Sequence, residues 1–90
     1  MNLNELLNYS LDSGASDLHL SVGSVPMVRI NGTMRPLNVD VLKQSEMEKM
    51  LPQVMNEDQQ KLFKENKEID FSKTLEGKGR FRVNFFNQIN

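Results

Sequence analysis

A period of two runs through the stretch Gly79-Arg80-Phe81-Arg82-Val83-Asn84-Phe85-Phe86-Asn87-Gln88. Because successive side chains of a β-strand point to opposite faces, every second residue of this stretch lies on the same face. The apolar face carries Phe81, Val83 and Phe85, and the polar face carries Arg80, Arg82, Asn84 and Gln88. The stretch therefore predicts a strand that buries one side in a core and presents two guanidinium groups on the other.

The composition is that of one ordinary globular domain. The chain has 90 residues, a hydrophobic fraction of 38%, a charged fraction of 26%, a net charge of -1 and no cysteine. No apolar run approaches the roughly 18 residues that a transmembrane helix needs, and the first residues carry no secretory signal. The lack of cysteine excludes disulfides and thiolate metal sites and is compatible with a reducing cytoplasm. The even charge balance argues against a general nucleic-acid binder.

The first part of the chain predicts one helix and three strands. Leucines at helical spacing form a stripe that ends near Gly14: Leu3, Leu6, Leu7 and Leu11. Asn31-Gly32 is the dipeptide favoured in type I′ hairpin turns, and Pro36 suits an edge strand. The strands are predicted from the alternation of apolar and polar residues and from this turn: residues 15–22, 25–31 and 33–37.

Helical periodicity then replaces the alternation. Ser45 and Glu48 have the spacing of a capping box, and an apolar stripe lies behind them: Met47, Met50, Leu51, Val54 and Met55. This methionine-rich stripe is interpreted as adaptable core. Pro52 lacks a backbone donor and predicts that the helix is kinked or split.

A second helix is predicted from about Glu57 to Lys67, with Asn56 and Gln59 as its cap and with Leu62 and Phe63 as its main apolar residues. Two alternating strands close the chain, residues 69–75 and the stretch quoted first. Strands joined by short hairpins, with helices gathered in the middle, predict an α+β two-layer domain, an antiparallel sheet covered by helices.

No group of residues supports an enzyme that acts alone. A P-loop ends in Gly-Lys-Ser or Gly-Lys-Thr, whereas the single Gly-Lys pair, Gly77-Lys78, is followed by Gly79. His19 is the single histidine and cannot build a zinc cluster without cysteine. Ser16 and Ser21 lie near His19 but lack the third group of a nucleophilic triad. The sequence therefore predicts no catalytic residue and no metal site.

Arg80 and Arg82 allow two interpretations. They are either solvated residues that face Asp70 or Glu76 across a hairpin, or rigidly mounted bidentate donors to an anion such as a phosphate. A nucleic-acid interpretation requires aromatic residues on the same exposed face, and only Phe86 could serve.

Four motifs occur in order along the chain: Ala15-Ser16-Asp17-Leu18-His19-Leu20, then Pro26 with Arg29-Ile30-Asn31-Gly32, then Asp70-Phe71-Ser72, then Arg80-Phe81-Arg82-Val83-Asn84 with Phe86-Asn87-Gln88. Together they resemble the N-terminal domain of PilT-type retraction ATPases of type IV pili, which belong to the secretion ATPase superfamily. The resemblance covers essentially the whole chain in register.

The resemblance implies a PAS-like domain, joined in such proteins by a flexible linker to a RecA-like ATPase domain. These proteins are cytoplasmic homohexamers that drive pilus retraction and twitching motility at the bacterial inner membrane. The P-loop of the family would follow Asn90, so residues 1–90 are expected to be a non-catalytic fragment. ATP and Mg would belong to the full-length parent, and the fragment is expected to hold no cofactor.

In related secretion ATPases, arginines of the N-terminal domain reach the terminal phosphates of the nucleotide. By motif, Arg82 is the best match for this role and Arg80 the next. Asp17 is interpreted as the partner of a basic side chain or as a turn cap, and His19 as a residue satisfied within the sheet. Since the family usually continues with another arginine-rich strand, the resemblance also implies a sheet one strand short, with an unpaired edge.

The leading functional hypothesis is a packing module of a hexameric motor. Its partners would be its own and a neighbouring subunit's RecA-like ATPase domains and the pilus machinery, with no nucleic acid and no transmembrane segment. The alternative is a stand-alone PAS-like binding or dimerisation domain, and a nucleic-acid binder is the third class. A P-loop downstream of Asn90 would separate the first two.

Overall fold

Three helices and five strands make up the fold in the computed structural model, which describes residues 2–75, 77 and 79–87. Glu76, Lys78 and Gln88, which figure in the sequence predictions, lie outside these residues. The elements follow in chain order: α1 (Leu3–Asp12), β1 (Asp17–Ser21), β2 (Met27–Ile30), β3 (Thr33–Pro36), α2 (Gln44–Val54), α3 (Glu57–Asn66), β4 (Glu68–Leu75) and β5 (Gly79–Phe86).

The five strands form one sheet in the order β3-β2-β1-β5-β4. Hairpin neighbours run antiparallel, but β1 and β5 pair in parallel. The predicted α+β two-layer class is confirmed, with a mixed sheet in place of a fully antiparallel one. Parallel neighbours need a long crossover connection between them. Between β1 and β5 this connection includes α2, α3 and β4, so β5 can begin at the same end of the sheet as β1 and run in the same direction.

The resemblance implies a sheet one strand short with an unpaired edge, and this stays a prediction, because residues 88–90 lie outside the described part of the chain. β5 has β1 on one side and β4 on the other, so the edges are β3 and β4. Pro36 lies on the edge strand β3, as predicted. An edge position tolerates proline because no neighbouring strand needs the missing N–H group.

The apolar faces of the strands and the three helices share one core. Phe81, Val83 and Phe85 of β5 are all buried in it, as the alternation predicts. The ring of Phe85 stacks against Phe71 with centroids 6.0 Å apart and meets Phe63 edge to face at 6.3 Å. The methionines of α2 are buried in the same cluster, which confirms their interpretation as core: Met47, Met50 and the adjoining Met55.

Local signals decide the turn between β2 and β3. Asn31 and Gly32 have φ angles of 51° and 79°, the two positive values that a type I′ turn requires. Only glycine and, less readily, asparagine adopt this region without strain. The predicted turn is therefore confirmed at both positions.

In the first of the central helices the predicted capping box is wrong and the predicted split at Pro52 is not found, while a kink at Pro52 stays a prediction. α2 begins at Gln44 rather than behind Ser45, and the Glu46 carboxylate, not Glu48, accepts a bond from the flanking backbone, the Lys43 N–H at 3.1 Å. The helix also continues across Pro52 to Val54 without a split. Pro52 lies in the last turn, and only two helical residues follow it. The backbone hydrogen bond that proline cannot donate is therefore lost near the end of the helix and does not interrupt its middle.

The second central helix follows its predicted cap but not its predicted apolar pair. The Asn56 side chain accepts from the Gln59 N–H at 2.8 Å, and the Gln59 side chain accepts from the Asn56 N–H at 3.0 Å, which confirms the cap of α3. Phe63 is buried as expected, whereas Leu62 is exposed. Neighbouring residues of a helix are about 100° apart, so the face that buries Phe63 turns Leu62 outward.

Candidate functional site

The polar side chains of the strands come together on the sheet face opposite the helices. The parallel pairing of β1 and β5 sets Asp17 opposite Arg82 and His19 opposite Asn84. The antiparallel pairing of β1 and β2 sets Arg29 opposite Asp17 from the other side. Most of this face is exposed, including Asp70, Ser72 and Thr74 of β4 and Arg80 and Arg82 of β5. It is the surface on which a partner can meet the arginines.

Asp17 lies at the centre of an ion cluster on this face. Its Oδ2 atom lies 3.3 Å from Nε of Arg29, and its Oδ1 atom lies 3.6 Å from Nε of Arg82. The Ser16 hydroxyl donates to Oδ2 at 3.3 Å. A carboxylate that is only 11% exposed thus has a cationic partner on each oxygen. Burial of a charge is costly unless it is paired, and the two arginines provide the pairing.

The two arginines of the cluster are held differently. Arg29 also donates from Nη1 to the carbonyl oxygen of Gly32 at 3.1 Å, so it is fixed at two points. Arg82 has the longer contact with Asp17, and its side chain is 67% exposed, against 39% for Arg29. Arg29 therefore serves as the anchored partner, while Arg82 is oriented by Asp17 and still accessible to a ligand.

Acidic residues at the other end of the face are bound to an amide, not to an arginine. Asn84 donates from Nδ2 to Oδ1 of Asp70 at 2.9 Å and to Oε1 of Glu68 at 3.3 Å. The suggestion that Asp70 faces the arginines across the hairpin is therefore wrong, because Asp70 pairs with Asn84 in the strand register. Arg82 lies opposite Ser72 instead, and Arg80 lies opposite Thr74.

The two arginines chosen from the sequence occupy different environments. Arg82 belongs to the Asp17 cluster, whereas Arg80 is exposed and forms no ion pair with any residue that the structure describes. The third arginine of this face, Arg29, was not singled out as a site residue. Its motif is part of the sequence resemblance, but only the strand order shows that β2 brings it to Asp17.

The interpretation of Asp17 as the partner of basic side chains is supported, but that of His19 is wrong. His19 is half-buried, and its Nε2 atom is enclosed without a hydrogen-bond partner among the described residues. Its neighbours in the register are Met27 and Asn84, and the Asn84 amide is already bound to the two carboxylates. The sheet therefore leaves this nitrogen unsatisfied.

The chemistry available on the face is anion binding. Across residues 2–75, 77 and 79–87, no group of three potential metal ligands is found. Two guanidinium groups share one carboxylate, so the Asp17 cluster retains an excess of positive charge. Arginine is well suited to bind phosphate because its planar group offers parallel N–H donors. The fold and the site thus define a small α+β domain that carries an exposed arginine oriented by a carboxylate.

Comparisons with known proteins identify relatives of this module. The chain is 46% identical over 88 residues to the type IV pilus retraction ATPase PilT of Pseudomonas aeruginosa, covering 98% of this chain and 26% of that protein. It is 36% identical over 90 residues to the type IV pilus ATPase PilU of the same organism, covering 100% of this chain and 24% of PilU. A twitching motility protein of Neisseria gonorrhoeae is 44% identical over 62 residues, 69% of this chain and 17% of the relative.

The fold agrees with the sequence. A crystal structure of the pilus retraction motor PilT with bound ADP superimposes with a TM-score of 0.72 at 36% identity, covering 96% of this chain and 25% of that chain. We therefore place the chain in the PilT-type family of type IV pilus ATPases, which confirms the resemblance. No protein-family profile matches it. The chain spans about a quarter of the length of these relatives.

None of the helices in the described ranges is long and apolar enough to cross a membrane.

Proposed function

We propose that this chain is the N-terminal module of a type IV pilus retraction ATPase and that it presents Arg82 to ATP bound by a separate RecA-like domain. The observation that carries the proposal is the Asp17–Arg82 contact at 3.6 Å on an open sheet face, with the Arg82 side chain 67% exposed. The side chain is oriented without being buried. The names of the relatives, a retraction ATPase and a twitching motility protein, support the motor assignment.

A strand inside the sheet has a rigid backbone and can position an arginine that acts on phosphate. β5 is paired on both sides, and its apolar face is fixed in the core through Phe81 and Phe85. Such a backbone gives the guanidinium group a defined position, and preorganised positive charge stabilises the charge that develops during phosphoryl transfer. The module itself would contribute no base and no phosphate-cradling loop.

The nucleotide would lie outside this chain. The sequence has no P-loop ending, and the described residues offer no cluster of metal ligands. The described residues therefore fit a single arginine contact to a phosphate group, and not a complete site for ATP and Mg. We propose that residues 1–90 work beside the ATPase domains of their own and a neighbouring subunit in a cytoplasmic homohexamer at the inner membrane. When bound by those domains, Mg would neutralise phosphate charge.

Turnover of ATP by the longer protein tests this role. Arg82→Ala is expected to lower kcat by about 10³- to 10⁵-fold, because an arginine finger acts on the transition state. The matched control is Arg35→Ala, which removes an exposed arginine from the edge strand β3, where the register sets it opposite the buried Val28. The control is expected to leave turnover within about twofold of the unmodified protein.

Two outcomes contradict the proposal. If Arg82→Ala leaves kcat unchanged while the chain remains folded, the residue does not act on ATP. If Arg80→Ala lowers kcat and Arg82→Ala does not, Arg80, the exposed arginine on the same face, acts on the phosphate in place of Arg82. Should the longer reading frame lack a P-loop, the alternative of a stand-alone binding domain takes the place of the motor module.

A further inference from the structure

Arg29 and Arg82 contact the same carboxylate, that of Asp17, from the two strands that flank it. We infer that the anion site of this domain consists of Arg29 and Arg82 together, oriented by Asp17, and that Arg80 is not part of it. The identification of the anion as a nucleotide phosphate rests on the function proposed above. The existence of the two-arginine site does not, since it depends only on the geometry of the sheet.

The strand order brings the two arginines to one point. β1 lies between β2 and β5, and Asp17 is the register partner of both Arg29 and Arg82. With strands about 4.8 Å apart, the two backbones lie about 10 Å from each other, too far for short side chains to meet. Arginine side chains span this gap, and both Nε atoms reach the carboxylate within 3.6 Å. The two guanidinium groups therefore converge over β1.

The charges of the cluster favour an additional anion. Two arginines carry two positive charges against the single negative charge of Asp17, which leaves one positive charge on an exposed face. Each guanidinium group has five N–H donors. The Nε atom of each group forms an ion pair with Asp17, and Nη1 of Arg29 donates a hydrogen bond to the carbonyl oxygen of Gly32. Most donors of both groups thus have no protein acceptor among the residues that the structure describes.

Arg29 has a second effect on the site through Asp17. Because Arg29 also pairs with Asp17, it partly neutralises that carboxylate and so weakens the attraction between Asp17 and Arg82. Without Arg29, one arginine and one carboxylate would remain and the cluster would have no net charge. Loss of Arg29 is therefore expected to weaken anion binding even though Arg82 is intact. Arg80 has no corresponding link to Asp17, since it lies opposite Thr74 two residues along β5.

Titration of the 90-residue chain with inorganic pyrophosphate, followed by NMR of the arginine Nε–Hε groups, tests the inference. The signals of Arg29 and Arg82 are expected to shift together and to saturate, while that of Arg35 stays in place. Arg29→Ala and Arg82→Ala are each expected to weaken binding by about threefold or more, a typical effect for exposed charge pairs. Arg80→Ala and Arg35→Ala are expected to change it by less than about twofold.

Arg29→Lys provides a second variant in case Arg29→Ala disturbs the fold. Lysine keeps the charge but not the planar fork, so the affinity should fall between those of the unmodified chain and Arg29→Ala. The inference is overturned if binding is not saturable, if only the Arg82 signal shifts, or if Arg80→Ala weakens binding and both Arg29 variants do not. A further outcome separates the two proposals. If the 90-residue chain binds pyrophosphate saturably but Arg82→Ala leaves ATP turnover of the longer protein unchanged, the motor role is rejected and the anion site is supported.

Discussion

Asp17 is the residue on which the proposed surface depends. Its carboxylate is buried on the central strand, yet each oxygen faces an arginine from a neighbouring strand. Exposed ion pairs contribute little on their own, but a buried carboxylate with two partners is costly to leave without them. Asp17 therefore orients the arginines and, at the same time, ties β2 and β5 to β1.

The substitution Asp17→Asn is expected to lower the free energy of unfolding by about 1 kcal/mol, because both arginine partners are partly solvated. Asparagine keeps the size of the side chain and removes only its charge. Urea denaturation is the suitable measurement, since guanidinium salts would screen the cluster. Asp40→Asn, at an exposed carboxylate, is the control and should change stability by less than about 0.5 kcal/mol. Equal effects of the two variants would show that the cluster does not stabilise the sheet.

Most elements could be predicted from short-range patterns. The leucine stripe of α1, the Asn31-Gly32 turn and the Asn56–Gln59 cap depend on neighbouring residues alone, and each is found where it was predicted. The predicted cap at Ser45 and the predicted burial of Leu62 are wrong. Both lie in polar helices, where several residues fit a cap or an apolar face and tertiary packing decides among them.

The start of α2 gives a pH dependence that can be measured. The bond from the Lys43 backbone N–H lowers the pKa of the Glu46 carboxyl below its ordinary value of 4.5. A lowered pKa in the folded state means that the ionised form stabilises the fold. This contribution is fully present above the unfolded pKa and is lost as the pH falls through the folded pKa.

Glu46→Gln keeps an acceptor oxygen but removes the charge. Its free energy of unfolding is expected to be lower than that of the unmodified chain near neutral pH, and the difference should disappear at acid pH. Urea denaturation at a series of pH values measures the difference. Glu65→Gln, at an exposed position on α3, is the control. A difference that grows as the pH falls would contradict the stated effect of the Lys43 bond.

At the scale of the whole molecule, the site depends on a topology that no local pattern contains. The sequence resemblance indicated an arginine strand and an Asp-x-His strand, but not that they pair in parallel. By motif, Arg80 is the second candidate after Arg82. The sheet instead brings Arg29 to Arg82, from a strand more than forty residues earlier, because β1 lies between β2 and β5. Contacts between residues so far apart in the sequence form only when the whole sheet and its core are assembled.

A structure of the longer protein with a non-hydrolysable ATP analogue and Mg is the most direct test of the proposed motor role. We expect a guanidinium nitrogen of Arg82 within about 3 Å of a terminal phosphate oxygen in at least one subunit, with Arg29 directed at the same group. The result that contradicts the account is a fully occupied assembly in which Arg82 stays on Asp17 and lies more than about 6 Å from every phosphate.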